Sequence, residues 1–431
     1  MQANLSFEQA PAISVPFRFL LSAPWFGGAA GLLAAYAGEQ AIVTRWSPVA
    51  LALTHLLVVG LMLQAMTGAL LQFVPVAAGG NVWRPRWVAG FVHPAITVAA
   101  LTLVAGLLTG TPVLLRLSAA VFLVAIGVLV LVVGTALLRT PARGATIRAL
   151  RLALAGLSVT VLLGVSLAEG LAGGHSWPLV DIANLHAAWG LGAWALTLLV
   201  GVSYFVVPMF QLTPPYPERF ARVLPPTLLA VVTAWSLLAI GVGRATWIWL
   251  VGLGLGAAYG GVTLALQQRR RRRVADPTYW FFRTAMICLA AIFVSGLFSA
   301  VVPALGESPR MAWWLGVLAL PGVFVSAING MTYKVVPFLN WLHLQRLMGL
   351  GGMPPNMREM IPERAMWWQA ALHFIAIALL LAATFWPWLV TAAGLAFSAS
   401  CIWLGINLGR AARVYCRVRD RIALAEPSHV P

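Results

Sequence analysis

The stretch THLLVVGLMLQAMTGALLQFVP, residues 54–75, decides how this chain is built, because its pattern returns twice. It runs from His55 through Gly68 to Pro75. A second copy, HAAWGLGAWALTLLVGVSYFVVP, residues 186–208, runs from His186 through Gly201 to Pro208. A third, GMTYKVVP, residues 330–337, keeps Gly330 and Pro337 but has no histidine ahead of it. In all three the glycine precedes the proline by seven residues, and the proline follows Val74, Val207 or Val336. Three copies of one apolar helix, two carrying an imidazole at membrane depth, point to a buried metal-cofactor site.

The composition around these copies fixes the class. Hydrophobic residues make up 61% of the 431 and charged residues 9%, which no water-soluble domain could carry on its surface. A helix crosses the hydrocarbon core with about 20 mostly apolar residues. Twelve such stretches predict helices 1 to 12 near 17–37, 48–75, 88–109, 117–138, 150–171, 183–208, 223–243, 246–266, 280–303, 312–337, 366–386 and 388–409. We therefore expect an all-α polytopic membrane protein, folded as one twelve-helix domain over residues 1–431. Residues 1–16 form a polar amino-terminal segment and 410–431 a basic tail. The longest loop, Leu339 to Arg364 with Gly351, Gly352, Pro354 and Pro355, is too short to fold alone.

Arginine orients the bundle. Cytoplasmic loops collect Lys and Arg. With the amino terminus inside, only Arg45, Arg116, Arg244 and Arg310 fall on the outer side, and the other 24 of the 28 basic residues face inward. Those include Arg139, Arg143, Arg148 and Arg151, the run Arg269 to Arg273, and the tail from Arg410 to Arg421. The segment Met1 to Val15 lacks the basic flank and cleavage site of a secretory signal, so helix 1 is expected to be retained. The expected location is a bacterial inner membrane with both termini cytoplasmic. The net charge of +17 is then a topology signal and an anchor to anionic head groups. Nothing beside Arg269 to Arg273 could read bases, which excludes a nucleic-acid partner. Cys288, Cys401 and Cys416 have no paired spacing and no Cys-x-x-Cys-His occurs, arguing against covalent haem, a zinc ribbon or disulfides.

Of the eleven acids, ten (Glu8, Glu39, Asp181, Glu218, Asp276, Glu307, Glu359, Glu363, Asp420 and Glu426) lie in tails, loops or helix ends, leaving only Glu169 within a helix near its outer end. Ion-coupled transporters need intramembrane charge, so secondary transport and long-range proton pumping are disfavoured. Histidine is different. His175, His343 and His429 fall outside the spans, whereas His55, His93, His186 and His373 are embedded. His55 and His186 lie in the outer half of helices 2 and 6. Helices 2, 6 and 10 are four apart, so the chain reads as three consecutive four-helix units with pseudo-threefold symmetry. Gly60, Gly68, Gly190, Gly192, Gly201 and Gly330 permit close helix approach. Pro75, Pro208 and Pro337 are expected to end or kink each repeated helix at the inner face. Lys334, the sole lysine, reads as a snorkelling anchor.

Twelve helices in three arcs, with histidines opening helices 2 and 6, resemble the haem-copper oxidase subunit I superfamily. Thr54-His55-Leu56 through Gly60, Gly68 and Val74-Pro75-Val76 is similar to the His-Leu…Gly…Gly…Pro helices of its divergent members. Pro16-Phe17-Arg18-Phe19 and Val206-Val207-Pro208-Met209-Phe210 resemble more closely the NnrS-like bacterial membrane proteins associated with nitric-oxide stress. The chain departs from the oxidase pattern where it matters chemically. Residues 223–242 on helix 7 and Ala312 to Pro337 on helix 10 contain no histidine, so neither the copper centre nor the high-spin haem of an oxidase can be assembled from these positions.

The resemblance implies a low-spin haem between helices 10 and 2. Rotated by a third of a turn, that arrangement falls between helices 2 and 6, where His55 and His186 would ligate haem b, with copper or two separate cofactors as alternatives. The histidine-to-glycine spacings, thirteen and fifteen, are out of register. Arg45 beside Trp46 and Arg310 before Trp313 and Trp314 would meet haem propionates or anchor the interface. His93 and His373 form a second candidate pair. The expected function is a haem-binding, oxidase-like protein that handles nitric oxide or another diatomic ligand, or passes electrons from a donor. The alternative is a non-catalytic membrane subunit or small-molecule channel that keeps the fold without cofactors.

Overall fold

Backbone polar groups cannot be left open in hydrocarbon, and the apolar runs answer by coiling. The computed structural model describes residues 7–173, 177–241, 246–272, 274–349 and 352–425. His175, Arg244, Arg273, Gly351, Glu426 and His429, each used in the sequence reading, lie outside the described residues. Among the described residues twelve helices are long and apolar enough to cross a membrane. They are helix 1 Ser14–Ile42, helix 2 Pro48–Ala78, helix 3 Pro85–Thr109, helix 4 Pro112–Arg139, helix 5 Ala145–Leu171 and helix 6 Leu179–Gln211. There follow helix 7 Glu218–Ala239, helix 8 Trp247–Gln268, helix 9 Pro277–Val301, helix 10 Pro309–Met348, helix 11 Glu363–Ala383 and helix 12 Pro387–Leu424. No strand occurs among the described residues.

Local sequence sets several starts. Ser47, Asp276 and Ser308 each accept a backbone N–H from the first turn, and each precedes a proline at the first helical position, where the missing N–H costs nothing. One apolar core runs from Val15 on helix 1 to Tyr415 on helix 12, so the twelve helices are one packed body.

The threefold repeat is visible as packing. Each of helices 2, 6 and 10 contains an eight-residue π-helical segment, Leu56–Leu63, Trp189–Leu196 and Leu318–Val325. Each segment packs on the helix before it, namely helix 1, 5 or 9. Twelve residues past the start of each segment stands the repeated glycine, and a Cβ there would press on the same neighbour in every copy. At Gly68 it would meet Phe19 and the Pro16 carbonyl, at Gly201 Ala149 and the Thr146 carbonyl, and at Gly330 Phe281 and the Thr278 carbonyl. Helices 4 and 5, 8 and 9, and 12 and 1 close the outer ring, each pair in the same relation to its unit. At the last of these, a Cβ on Gly31 would lie 2.6 Å from the Gly394 carbonyl.

Three expectations are corrected. The repeated prolines do not end their helices. Helix 2 continues to Ala78, helix 6 to Gln211 and helix 10 to Met348, with Pro75, Pro208 and Pro337 inside them. Helix 10 persists longest because helix 12 also runs on past the apolar stretch, and Asn340 Nδ2 donates to the Ala411 carbonyl at 2.8 Å between them. Much of the expected loop 339–364 and of the basic tail is therefore helical. Lys334 does not snorkel freely. Its ammonium lies 2.6 Å from Asp276 Oδ2, which also receives Arg272 Nη1 at 3.1 Å. Burial raises the Asp276 pKa, but Lys334 and the donors of Thr278 and Tyr279 outweigh that and hold it below the ordinary carboxylate value.

Candidate functional site

His55 is the last α-helical residue before the π segment of helix 2, and His186 stands three residues before that of helix 6. Counted from the start of each π segment, the glycines and prolines of helices 2, 6 and 10 agree in register, so the histidines are the residues that differ, by two positions. Two positions are about 200° around a helix. That slip is a geometric requirement. Equivalent residues on helices related by rotation point in the same sense around the axis, so side chains that meet across the gap between two such helices must come from opposite faces. The slip turns His55 toward helix 6 and His186 toward helix 2.

Their rings meet. The centroids are 6.3 Å apart and the planes 24° from parallel. His55 Nδ1 hydrogen-bonds the Leu51 carbonyl at 2.7 Å, and His186 Nδ1 the Thr160 carbonyl of helix 5 at 2.9 Å. A carbonyl only accepts, so each Nδ1 carries a proton, and in the neutral ring Nε2 keeps its lone pair. No hydrogen bond engages either Nε2 among the described residues. A metal–imidazole bond is about 2.0–2.1 Å, so rings this close could hold one metal between them, and Nδ1–H donation to a carbonyl is the usual way a ligating imidazole is held.

The surroundings fix both rings. A Cβ on Gly164 would lie 3.1 Å from His186 Cε1 and 3.5 Å from Nδ1, so the bare glycine makes room for the imidazole against helix 5. Arg45 stacks over Trp46 at 4.2 Å and donates through Nη2 to Asn184 Oδ1 at 2.9 Å. That bond ties the entry of helix 2 to helix 6 two residues from His186. Arg116 pairs with Glu169 at 3.2 Å at the same end of helices 4 and 5. Sequence reasoning missed Asn184, Gly164 and the Leu51 and Thr160 carbonyls. Asn184, polar in an apolar run, was the only one with a signal.

The other candidates sit elsewhere. Arg310 lines a separate recess with Glu39, Ser308 and Thr384. His93 and His373 have different hydrogen-bond and ring partners. His93 Nε2 bonds Ser22 Oγ at 3.0 Å and its ring meets Phe19 edge-on, whereas His373 is buried, bonds Ser326 Oγ at 2.8 Å and packs on Phe281. Phe19 and Phe281 are the residues that cover Gly68 and Gly330, so the two histidines repeat one packing feature in two units and do not form a pair. Among the described residues no group of three or more His, Cys, Asp or Glu side chains could hold a metal, so a metal here would have two protein ligands.

Fold and site together define a polytopic all-α membrane protein of three four-helix units with one histidine pair between the first two. No family model matches the chain, and no curated protein is significantly similar to it.

Proposed function

We propose that this chain is a haem-binding, oxidase-like protein of a bacterial inner membrane, with both termini cytoplasmic, in which His55 and His186 would hold one haem b. The observation that carries the reading is the approach of the two imidazoles, 6.3 Å between centroids with both Nδ1 atoms committed to carbonyls. With two protein ligands available, a macrocycle that brings four nitrogens of its own completes the coordination better than a bare ion does. Bound there, the haem supplies one-electron redox chemistry. The protein's part is to fix two neutral imidazoles, exclude other ligands and seat the cofactor in low dielectric.

The Leu51 and Thr160 carbonyls fix both imidazoles, and a haem held by both would serve electron transfer better than the handling of nitric oxide. Oxygen reduction is not proposed, because helices 7 and 10 lack the required histidines and buried carboxylates to deliver protons are nearly absent.

The test is an optical and electron-paramagnetic spectrum of the purified protein with metal analysis, after expression with ample haem. The expected result is one low-spin b-type haem per chain, no rapid carbon monoxide binding when reduced, and negligible oxygen uptake with an artificial donor. Copper without haem would reassign the metal. A colourless, metal-free protein would overturn the reading and leave a cofactor-free membrane subunit.

A further inference from the structure

The threefold repeat predicts where the histidine pair has counterparts. His55 precedes its π segment by one residue and faces helix 6, and the equivalent residue of helix 10 is Val317, which should face helix 2. His186 precedes its π segment by three, and the equivalent residue of helix 2 is Leu53, which should face helix 10. Leu53 and Val317 do line one cavity, between helices 10 and 2 and walled also by helices 1, 11 and 12. It is the counterpart of the histidine site with both imidazoles replaced by aliphatic side chains. Its interior volume is about 130 Å³, close to that of an apolar cavity that takes one benzene-sized ring, and its mouth is open, so the rest of a longer molecule would extend outside. No imidazole, thiol or thioether lines it, so nothing there can ligate iron or copper.

Its walls are shaped by small residues, among them Gly31, Ala50 and Gly316, with the ring of Phe397 on one side. Polar groups are few, and the strongest are donors. Trp313, part of the wall, has a buried indole N–H with no hydrogen-bond partner among the described residues, a donor left unsatisfied unless something accepts from it. Arg45, whose guanidinium donates to Asn184, also lines the cavity. At the mouth, where a second recess shares Ile42, Pro309 and Trp313, stand Arg310 and Glu39. Two guanidiniums against one carboxylate favour an electron-rich head.

We infer that this cavity binds a lipophilic small molecule whose head is an oxygen acceptor, a carbonyl or a carboxylate, placed toward Trp313 and Arg45 with its apolar body among the small residues. Two sources share that chemistry, a membrane quinone and a long-chain fatty acid. The site does not depend on the histidine pair holding a metal.

The test uses the full chain in phosphatidylcholine nanodiscs, with decylubiquinone and palmitate as probes and binding read by equilibrium dialysis and thermal shift. A Cβ on Gly316 would meet nothing within 4 Å, so Gly316→Leu projects into free space and favours the helix. That variant should fold as wild type and lose binding by at least tenfold. Trp313→Phe keeps the ring and should weaken binding about fivefold, one hydrogen bond's worth. His55→Ala should leave binding unchanged, which separates failure here from failure of the haem reading. Binding of the quinone alone identifies a neutral carbonyl head and binding of palmitate alone a carboxylate; either supports the site. If neither probe binds, or if Gly316→Leu binds as wild type does, the inference is overturned.

Discussion

Replacing Gly201 with alanine should destabilise the bundle, and removing one methyl from the opposing helix should restore it. A Cβ on Gly201 would stand 2.5 Å from the Ala149 Cβ, whereas carbons in contact prefer about 3.5–4.0 Å. Neither methyl has a torsion that could move it aside, so helices 5 and 6 must separate by about 1 Å along a contact that recurs around the ring. Overpacking of this kind costs about 1–3 kcal/mol, and the helix propensity of alanine returns up to about 1, leaving about 1–2 kcal/mol. Ala149→Gly alone should cost about 1 kcal/mol through propensity. In Gly201→Ala with Ala149→Gly the methyl has only changed sides. The double variant should therefore lie within about 0.5 kcal/mol of wild type, a coupling of about 2 kcal/mol. The assay is reversible unfolding in mixed micelles, followed by circular dichroism and tryptophan emission. Strict additivity of the two substitutions, or a Gly201→Ala protein as stable as wild type, would refute the close-contact reasoning. Gly330→Ala, whose Cβ would lie 3.0 Å from the Phe281 Cβ and the Thr278 carbonyl, should cost less.

The remaining predictions concern the site, the ion pair and the orientation. His55→Ala and His186→Ala should each convert a low-spin haem spectrum to high spin and lower haem retention by more than about tenfold, with external imidazole restoring the band; unchanged low-spin spectra in both would exclude them as ligands. Gly164→Val should push the His186 ring off the Thr160 carbonyl and shift the haem potential or spectrum, while leaving palmitate binding as it was. Asp276→Asn should cost about 1–2 kcal/mol by stranding Lys334, discounted for partial exposure. Because the folded Asp276 carboxyl is held low, its contribution is full above the unfolded value of about 3.9 and is lost as pH falls through the folded value; an acid-unfolding curve unchanged by Asp276→Asn would contradict this. Reporter fusions after Gln267 and after Val430 should both report cytoplasm, and two periplasmic signals would reverse the orientation.

The sequence by itself determined the class, the helix number and the period of the repeat. These depend on local properties: runs of apolar residues long enough to span hydrocarbon, and a Gly–Pro spacing that recurs every four helices. It also supplied the histidine pair, because an imidazole in a membrane span needs a partner. It left open whether Pro75, Pro208 and Pro337 end or kink their helices, and the helices continue past all three, since whether a helix survives a missing N–H depends on what holds it beyond that point. For helix 10 that support is helix 12, joined through Asn340 and the Ala411 carbonyl. It also paired His93 with His373, each on the helix that follows a repeated helix, though their surroundings are separate.

Only the tertiary structure decided how the histidines meet. Read along the chain, spacings of thirteen and fifteen to the glycine look like an imperfect repeat. In three dimensions the imperfection is what lets residues on rotationally related helices face one another. The partners of each Nδ1, the Leu51 and Thr160 carbonyls, are backbone atoms that no side-chain pattern marks, and Gly164 matters only because His186 lies against it. The apolar cavity between helices 10 and 2 is hidden for the same reason. Leu53 and Val317 are ordinary membrane residues in the sequence, and only the rotation that carries one unit onto the next identifies them as the positions where the other gap has its imidazoles.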